Sequence, residues 1–590
     1  MSDEIKHECA VAMAVLRNPP TSTADYGGTK LSLLLEKQHN RGQDGAGAAI
    51  LSANPEPGEP PYWIAKSASA TPLADVLGAI GKRNISRRGA ESQRSVSGNN
   101  LRDCASPRER IFLGHLRYAT FGKNEEKFCH PFVHESSELS HTLLLAGNFN
   151  LTNAFELFEI YRSKGEFPTS RADGYLITEL VAHELAGGKS LADSISAALA
   201  QADGAWTLCG MTGDGWAFAT RDPHGIRPGF YYMDDGVVVV ASERPAIQAA
   251  FDVPPEAVKE LPRGEALLVS PEGEVSFSQV LPPSLARGCV FERIYFSRAN
   301  DADIHRERKA LGAALVPQIL EAADSPLEDI FFSYIPNSAR IAFHGLLEEL
   351  FKRVASNSRT LDFGHRTLAP EGLRSRPEVN ESLPRFGEIA VKDAKFRTFI
   401  ADAAARREFY KHVYDVTYGL VRPGRDTLVV LDDSIARGNT MKNAILPMLD
   451  RLGPKRIIIA SSAPPIRYPD CYGIDMSTLG ELVAFRALVN LLGDEAGEVL
   501  RGDRDKNPLA SLYARFTDGQ HCAEIARLLT PPGMKAEVRV VYQTIDSLHA
   551  ACPGASGDWY FTGDYPTGGG YKVLHKALSN YLARSSERSY

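Results

Sequence analysis

The sequence has no apolar run near the roughly 18 residues of a membrane helix and no excess of basic residues. Lysine and arginine total 66 against 73 aspartates and glutamates, a formal net charge of −7. The chain therefore has no overall positive field to attract nucleic acid or anionic lipid, and any phosphate-binding site must be local. The N-terminus MSDEIKHE is acidic and polar where a secretory signal is basic and then apolar. We expect a soluble cytoplasmic protein that binds no membrane and no nucleic acid.

Cysteine is scarce, and the sequence contains no internal repeat. Eight cysteines at irregular spacing in 590 residues do not form the framework of a disulfide-stabilised protein. With 43% hydrophobic and 24% charged residues, the composition is that of globular proteins, which excludes wholesale disorder. A chain of this length predicts about two to four domains.

The pattern of secondary structure changes near residue 285. Before it, short apolar runs separated by turn residues predict antiparallel sheets, as at 142–145, 206–211, 215–220 and 236–241. After it, helices and strands alternate, which is typical of a parallel α/β sheet, as at 309–323, 330–334, 340–351 and 428–431. We interpret the glycine-rich segment 41–47 as a turn, and the polar, arginine-rich segments 81–110 and 352–385 as surface insertions.

The most specific local pattern joins a buried strand, a polar loop and an apolar helix face before the next strand at 457–460, which predicts a βαβ unit. The loop consists of Asp432, Asp433, Ser434, Ile435, Ala436, Arg437, Gly438, Asn439 and Thr440. A loop that leads into a helix N-terminus presents N–H groups that suit a phosphate, and its paired carboxylates suit sugar hydroxyls or hydrated Mg²⁺. A bare Asp-Asp-Ser could equally form a turn and a cap, but the full string is more specific.

Four residues of the first half suggest amide chemistry when taken together. As the first residue of a mature chain, Cys9 would be a nucleophile with its own α-amine, of pKa about 7.7 to 8.0, as the base. Arg117 could bind an α-carboxylate and Asp173 an α-ammonium, while the Asn148 amide could donate to an oxyanion. Taken singly, a buried thiol, an ion-pair arginine and a helix-capping aspartate remain open alternatives. The set describes an amino-acid amidase.

These two constellations, in this order, resemble the amidophosphoribosyltransferase family. The loop resembles the phosphoribosyl diphosphate (PRPP) signature of type I phosphoribosyltransferases, and the similarity runs from Cys9 to about Ala487, through 38–43, 221–228, 294–298 and 462–466. The resemblance implies an α/β and α+β fold. An N-terminal nucleophile (Ntn) hydrolase αββα sandwich, residues 9–285, precedes a parallel α/β phosphoribosyltransferase domain, residues 286–500. Residues 1–8 would be a propeptide and 501–590 a C-terminal extension.

The resemblance also implies two half-reactions and a role for each site residue. Cys9 hydrolyses glutamine, and the ammonia displaces diphosphate from PRPP to give 5-phosphoribosylamine, the first committed step of purine synthesis. At the first site Asn148 and Phe149 would stabilise the oxyanion, and glutamine would bind Arg117, Asp173 and Gly174. At the second site PRPP would bind the loop 432–440 together with Ser333 and Lys392. The family further implies Mg²⁺ bound through PRPP at Asp432 and Asp433, purine nucleotides as feedback inhibitors, and a homo-oligomer.

Three departures from the family pattern limit what it implies. The oxyanion motif His-Asn-Gly is Gly147-Asn148-Phe149 here. If residue 149 had a positive φ, phenylalanine would cost roughly 1 to 2 kcal/mol, less than the roughly 2.7 to 4 kcal/mol for a lost oxyanion donor, so we expect an active hole with local adjustment. The segment 391–400 resembles the loop that closes over PRPP but is one residue shorter and lacks its tyrosine. Only Cys289 matches the four cysteines that bind an iron–sulfur cluster in some members, so we expect no iron–sulfur cluster.

The sequence disfavours two other functions and indicates one processing step. A regulatory PRPP-binding protein without catalysis would need neither Cys9 nor the residues around it. A glutaminase joined to a sugar isomerase, as in glucosamine-phosphate synthase, would not carry a PRPP loop. While Glu8 acylates Cys9, the nitrogen of Cys9 is an amide that cannot accept the thiol proton. We therefore expect cleavage between Glu8 and Cys9.

Overall fold

The computed structural model describes residues 8–17, 26–52, 60–96, 109–118, 125–163, 165, 168–362, 383–392, 414–474, 476–502, 506–585 and 587–589. The strands are β1 (Ala10–Leu16), β2 (Gly45–Ser52), β3 (Tyr62–Ser67), β4 (Glu109–Arg117), β5 (Phe132–His134), β6 (Leu143–Leu151), β7 (Gly204–Thr212), β8 (Ala217–Arg221), β9 (Phe230–Met233), β10 (Val237–Ala241), β11 (Lys259–Glu260), β12 (Glu265–Val269), β13 (Val275–Gln279), β14 (Ile330–Tyr334), β15 (Arg385–Phe386), β16 (Ala390–Lys392), β17 (Tyr414–Val416), β18 (Thr427–Asp432), β19 (Arg456–Ser461) and β20 (Glu537–Tyr542). The helices are α1 (Tyr26–Lys37), α2 (Pro72–Val96), α3 (Ala154–Ser163), α4 (Asp173–Ala186), α5 (Leu191–Leu199), α6 (Arg244–Phe251), α7 (Ala302–Ala314), α8 (Val316–Ala323), α9 (Arg340–Asp362), α10 (Leu446–Asp450), α11 (Val483–Leu492), α12 (Ala496–Gly502), α13 (Ala510–Tyr513), α14 (Asp518–Leu529), α15 (Ile545–Ala551), α16 (Trp559–Thr562) and α17 (Gly568–Leu582).

The first half of the chain is a four-layer sandwich. Its two antiparallel sheets have the strand orders β11-β9-β10-β1-β4-β2-β3 and β13-β12-β8-β7-β6-β5. Side chains alternate along β1, so Val11, Met13 and Val15 pack between the sheets while Ala10, Ala12, Ala14 and Leu16 pack under helices α1, α2 and α6. Helices α3, α4 and α5 cover the outer face of the second sheet. The order of layers is helix, sheet, sheet, helix.

The second half is built on a parallel sheet of order β15-β14-β18-β19-β20. Helices α8 and α9 cover one face. The other face packs against the segment after β18, where Met441, Ile445, Met448, Leu449 and Leu452 are all buried. They are five of the six residues of the apolar helix face that the sequence predicts, and the sixth, Ala444, is only partly buried. Strands β18 and β19 pair in parallel, so the βαβ unit is confirmed. The sandwich followed by a parallel α/β sheet confirms the predicted fold class.

An aromatic cluster joins segments that lie far apart in the sequence. The Cys289 thiol and the Tyr560 hydroxyl are 3.1 Å apart, and Trp559 Nε1 donates to Asp470 at 2.9 Å. The ring of Phe291 packs edge-on against that of Tyr560 at 4.7 Å. The cluster therefore binds the start of the second half to residues of the last helices.

The C-terminal helix α17 is anchored on the sandwich. Asp203, just before β7, accepts hydrogen bonds from the Thr567 hydroxyl at 2.6 Å and from the Gly569 N–H at 3.0 Å. The Thr152 hydroxyl donates to the same carboxylate at 2.5 Å. A Cβ on Gly569 would lie 1.9 Å from the Thr152 hydroxyl, so only glycine allows this approach. A carboxylate of the first half thus caps a helix at the end of the chain.

Several local expectations are refined by the structure. The predicted turn 41–47 is wrong at its end, because β2 already begins at Gly45. Helices α2 and α9 run into the two segments interpreted as insertions, whose residues 97–108 and 363–382 lie outside the described part. Strand β20, within the predicted C-terminal extension, pairs with β19 in the parallel sheet. No described helix has both the length and the apolar character that a membrane span requires.

Candidate active sites

Cys9 lies at the start of β1, where pairing with β4 brings it beside Tyr118. Ala10 stands opposite Leu116, and the Tyr118 N–H donates to Cys9 Sγ at 3.3 Å. Burial raises the pKa of the Cys9 thiol to about 11, although the Tyr118 N–H and the positive charge of Arg117 lower it. The thiol therefore needs a base before it can act as a nucleophile near neutral pH.

Arg117 and Asp173 lie close enough to Cys9 to influence its ionisation. Arg117 ends β4, is 4% exposed and stacks over the Phe128 ring at 5.7 Å. Asp173 opens α4, and the N–H of Gly174 donates to it at 2.9 Å. Burial raises the pKa of the Asp173 carboxyl to about 6, while that N–H and Arg117 oppose the shift. The structure brings together a thiol, a cation and an anion from three separate elements.

Asn148 and Phe149 lie on β6, next to this cluster. The Asn148 amide donates to the Glu8 carboxylate at 3.4 Å. Phe149 is not among the described non-glycine residues with positive φ, so the strain considered for it does not arise. Its ring lies against Gly174, where a Cβ would approach it to 2.8 Å. An extended strand accepts phenylalanine where a left-handed turn would require glycine.

Glu8, the last residue of the expected leader, is buried and ion-paired. Its carboxylate contacts the Arg227 guanidinium and lies 3.6 Å from Arg41 Nη1. Both arginines are fully buried. In the unprocessed chain Glu8 therefore holds two buried cations and lies beside the Asn148 amide. Arg227 belongs to the segment 221–228, and that family match was its only signal in the sequence.

A cavity of about 630 Å³ lies at the carboxyl ends of β14 and β18. From the predicted set, its lining includes Asp432, Asp433, Ser434, Ile435, Ala436, Gly438 and Thr440. Two other predicted residues of the loop point elsewhere. Arg437 pairs with Glu481 at 2.7 Å, and Asn439 is exposed and does not line the cavity.

Ser333 and Lys392, also predicted to bind PRPP, are not among the lining residues. Ser333 is buried in β14, where its hydroxyl accepts a hydrogen bond from the Ile389 N–H at 3.1 Å. Lys392 ends β16, and its side chain lies outside the described part. Residues 393–400 of the predicted closing loop also lie outside it.

The paired carboxylates of the cavity resist full ionisation. Burial and mutual repulsion raise the pKa of Asp432 well above its ordinary value, and burial raises the pKa of Asp433. Asp433 accepts hydrogen bonds from the hydroxyls of Ser338 and Ser434, the latter at 3.1 Å. A buried and a partly buried carboxylate in this state favour a cation or hydroxyl donors as ligands.

The cavity also contains basic and amide groups that the sequence analysis missed. They are His39, Asn40, Gln43, Arg298, Asn300, Arg308, Asn337 and Arg340. Burial lowers the pKa of Arg308 to about 10, and its guanidinium donates to the carbonyls of Arg293 and Ser297. Signals were available in the sequence: His39, Asn40 and Gln43 lie in the family-like segment 38–43, Arg298 lies in the segment 294–298, and Arg340 opens the helix that follows the strand 330–334. These groups suit a ligand with several negative charges.

Arg41 connects the two sites. Its Nε donates to Glu243 at 2.7 Å and its Nη1 to Glu292 at 3.0 Å, in addition to the contact with Glu8. Its neighbour Asn40, which lines the cavity, donates to Glu243 at 2.7 Å. A single buried charge network therefore extends from the wall of the cavity to the residue that precedes Cys9.

Among the described residues, no group of three or more histidine, cysteine, aspartate or glutamate side chains is arranged to hold a metal ion. Cys289, the one cysteine that matches a cluster ligand, is hydrogen-bonded to Tyr560. Asp470 stands where the family has its second cysteine and accepts from Trp559. Aromatic packing fills this region, so the residues present do not fit an iron–sulfur cluster.

Comparisons with known proteins match both halves. A family model described as a glutamine amidotransferase domain matches residues 118–249. The amidophosphoribosyltransferase of Bacillus subtilis is 31% identical over 430 residues, which are 71% of this chain and 79% of the relative. That of Methanocaldococcus jannaschii is 28% identical over 404 residues, 66% of this chain and 76% of the relative. That of Escherichia coli is 28% identical over 412 residues, 66% and 72% respectively.

Solved structures with the same fold cover nearly the whole chain. One is the glutamine PRPP amidotransferase of B. subtilis in complex with ADP and GMP, at 23% identity and a TM-score of 0.64, which covers 95% of this chain and 97% of the other. A second, described as the allosteric regulatory enzyme of purine biosynthesis, has 23% identity and a TM-score of 0.65, covering 95% and 96%. The two-part fold is therefore shared along its full length.

Proposed function

The chain belongs to the amidophosphoribosyltransferase family, and from this premise we propose that Cys9 and the loop 432–440 carry its two half-reactions. It is an enzyme of purine biosynthesis that transfers the amide nitrogen of glutamine to PRPP. The convergence of Cys9, Arg117, Asn148 and Asp173, residues far apart in the sequence, is the observation that most strongly supports the assignment of the first site.

At the first site Arg117 binds the α-carboxylate of glutamine and Asp173 its α-ammonium. Cys9 Sγ attacks the amide carbon, and the α-amine of a free Cys9 takes the thiol proton. Asn148 Nδ2 and the Phe149 N–H stabilise the oxyanion. The C–N bond breaks, the proton passes to the leaving nitrogen, and ammonia departs from a glutamyl thioester. Water then hydrolyses the thioester to glutamate.

The first site requires that residues 1–8 act as a propeptide. With the leader in place the Cys9 nitrogen is an amide, and the Asn148 amide donates to Glu8 instead of to an oxyanion. Removal of the leader both creates the base and frees the donor.

At the second site the loop 432–440 holds the ribose 5-phosphate, and Asp432 and Asp433 bind the ribose hydroxyls. Ammonia attacks C1 of the ribose as the bond to diphosphate breaks, and one proton is lost. The carboxylates would also hold Mg²⁺ together with PRPP, a ligand set that suits this ion, and the ion would neutralise charge on the leaving diphosphate. Arg308 and Arg340 add fixed positive charge.

The domain division is proposed with one adjustment. Residues 9–285 form the glutaminase domain and 286–500 the phosphoribosyltransferase domain, to which β20 of the segment 501–590 adds a strand. Feedback by purine nucleotides is supported by the ADP and GMP bound to the B. subtilis relative. We further propose that the protein is cytoplasmic and forms a homo-oligomer.

One assay tests both sites. Glutamate and diphosphate release are measured with glutamine alone, with PRPP alone and with both substrates. We expect equimolar glutamate and diphosphate when both are present, and diphosphate release from PRPP when ammonium replaces glutamine. Glutamate release without any diphosphate would contradict the proposed second site, and diphosphate release that responds only to ammonium would contradict the first.

A further inference from the structure

Two buried histidines lie directly behind the proposed oxyanion residues. His115, on β4, and His130, just before β5, are 0% and 8% exposed. Their rings stack with centroids 3.8 Å apart and an angle of 11° between planes. Neither takes part in the steps described above, yet both contact the strand that carries Asn148.

The two rings bind the two polar backbone groups of one residue. His115 Nε2 lies 3.0 Å from the Gly147 carbonyl oxygen, and the Gly147 N–H donates to His130 Nδ1 at 3.3 Å. Strand β5 begins at Phe132, opposite Leu145, so it has no strand residue opposite Gly147. The imidazoles therefore satisfy an N–H and a C=O that would otherwise be buried without strand partners, which is unfavourable.

The geometry fixes the form of each ring. Burial lowers the pKa of both, that of His115 to about 3, so both are neutral at neutral pH. A neutral His115 must carry its proton on Nε2 to donate to the carbonyl. His130 must carry its proton on Nε2, because its Nδ1 accepts. The pair can hold Gly147 only in these tautomers.

The contact of the two histidines with Gly147 affects the next two residues of β6, Asn148 and Phe149. Backbone N–H groups alternate in direction along a strand, so the Phe149 N–H points to the same edge as the Gly147 N–H, away from β7. Gly147 has no freedom to carry a side chain, since a Cβ there would lie 2.8 Å from the Phe149 ring and 2.7 Å from the Thr207 carbonyl oxygen. Asn148 and Phe149 directly follow Gly147 in β6, so holding the Gly147 peptide groups also holds the part of the strand that presents the Asn148 amide and the Phe149 N–H.

We propose that His115 and His130 are positioning residues of the glutaminase, which clamp the Gly147 peptide groups and thereby aim the two oxyanion donors. The proposal rests on the proposed function of the first site. Neither histidine lines the cavity at the loop 432–440, so we expect their replacement to affect the oxyanion step and to leave PRPP chemistry unchanged.

The test uses two matched pairs of substitutions in the processed enzyme. His115→Phe and His130→Phe keep a planar ring and remove the hydrogen bonds. His115→Gln restores a donor near the position of Nε2, and His130→Asn restores an acceptor near the position of Nδ1. His141→Phe, at a partly exposed turn of the same domain, is the control. Kinetics of glutamine hydrolysis and of ammonia-dependent synthesis are measured for each.

We expect each Phe variant to lower kcat for glutamine hydrolysis about 10- to 100-fold, the effect of a misaimed donor, with KM for glutamine changed less than about threefold. Ammonia-dependent synthesis should stay within about twofold of wild type, which also reports folding. The Gln and Asn variants should recover most of the loss. Wild-type kcat in both Phe variants, or equal losses in the Phe variants and their polar counterparts, would overturn the proposal.

Asn148→Ala separates this proposal from the one on which it rests. If Asn148→Ala keeps full glutaminase activity, the assignment of the oxyanion site is wrong and the histidine proposal falls with it. If Asn148→Ala is inactive with glutamine while both Phe variants are normal, only the histidine proposal is wrong. Should His115→Phe fail to fold, the His130→Phe and His130→Asn pair decides.

Discussion

The state of the Glu8–Cys9 bond should decide whether the first site works. The Cys9 thiol in the leader-bearing chain has a pKa of about 11, so at pH 8 only about one molecule in 1,000 carries a thiolate. A positioned general base contributes about 10²- to 10⁴-fold to rate, and cleavage supplies that base as the α-amine of Cys9. We therefore expect the leader-bearing enzyme to hydrolyse glutamine at least about 100-fold more slowly than the form that begins at Cys9.

The two forms can be prepared separately and identified by intact mass. One is the full chain, isolated before cleavage, and the other has residues 2–8 deleted so that removal of the initiator methionine exposes Cys9. Alkylation of Cys9 by iodoacetamide follows the thiolate, so its rate in the leader-bearing form should climb with pH without a plateau up to pH 10. In the free form the rate should level off near the pKa of the amine. Ammonia-dependent synthesis should be equal in both.

A leader-bearing protein, proven intact by mass, that hydrolyses glutamine as fast as the free form would refute this reasoning. Glu8→Gln, with the leader retained, separates the two causes. Because a glutamine amide oxygen can still accept from Asn148, Glu8→Ala is compared with it. If Glu8→Ala stays inactive, the missing base dominates; if Glu8→Ala gains activity while Glu8→Gln does not, the acceptor beside Asn148 is the main obstacle.

Four further predictions concern the two sites and the cofactor. Asp432→Asn with Asp433→Asn should abolish ammonia-dependent phosphoribosylamine synthesis but leave some glutamine hydrolysis; synthesis that survives would contradict the loop assignment. Cys9→Ala should lose all glutamine-dependent activity and keep the ammonia-dependent reaction, and residual glutamine turnover would argue against its role. Because the pKa of the Asp173 carboxyl is raised to about 6, protonation as pH falls through 6 should raise KM for glutamine, and Asp173→Asn should abolish that dependence. Anaerobically purified protein should contain no stoichiometric iron or acid-labile sulfide, and finding both would reverse that prediction.

Local sequence patterns predict a helix or strand well where one apolar face of the element packs against the core. The stripe of apolar residues after β18 predicted a packed segment, and those side chains are buried. The same reasoning failed at Gly45, where glycine content was interpreted as a turn. A Cβ on Gly47 would lie 1.8 Å from the His130 carbonyl oxygen, so glycine is needed for a close approach inside a strand. His130 is more than 80 positions away from Gly47, so the sequence around Gly47 contains no sign of this close approach.

Site residues were predicted where a motif carried them and missed where the fold alone assembles them. The family resemblance places Ser333 at the PRPP site, yet side chains alternate along β14 and the Ser333 hydroxyl turns to the Ile389 N–H instead of the cavity. Arg308 lies on α7, outside the segments that carry the family resemblance, and it reaches the cavity only through tertiary packing. No local pattern indicates the ion pairs of Glu8, because its two arginine partners are 33 and 219 residues away in the sequence.

The capping of α17 by Asp203 has a consequence for the order of folding during synthesis. Thr567 follows Asp203 by 364 residues, so a ribosome must add most of the second half before this carboxylate meets its partners. The sandwich therefore emerges from the ribosome with part of its surface uncovered. Only α17, which is synthesised last, can cover that part. Since a chain grows at about 5 to 20 residues per second, the interval is on the order of tens of seconds. Truncation just before α17 should thus impair the first-made half, although every residue of its own sheets is present.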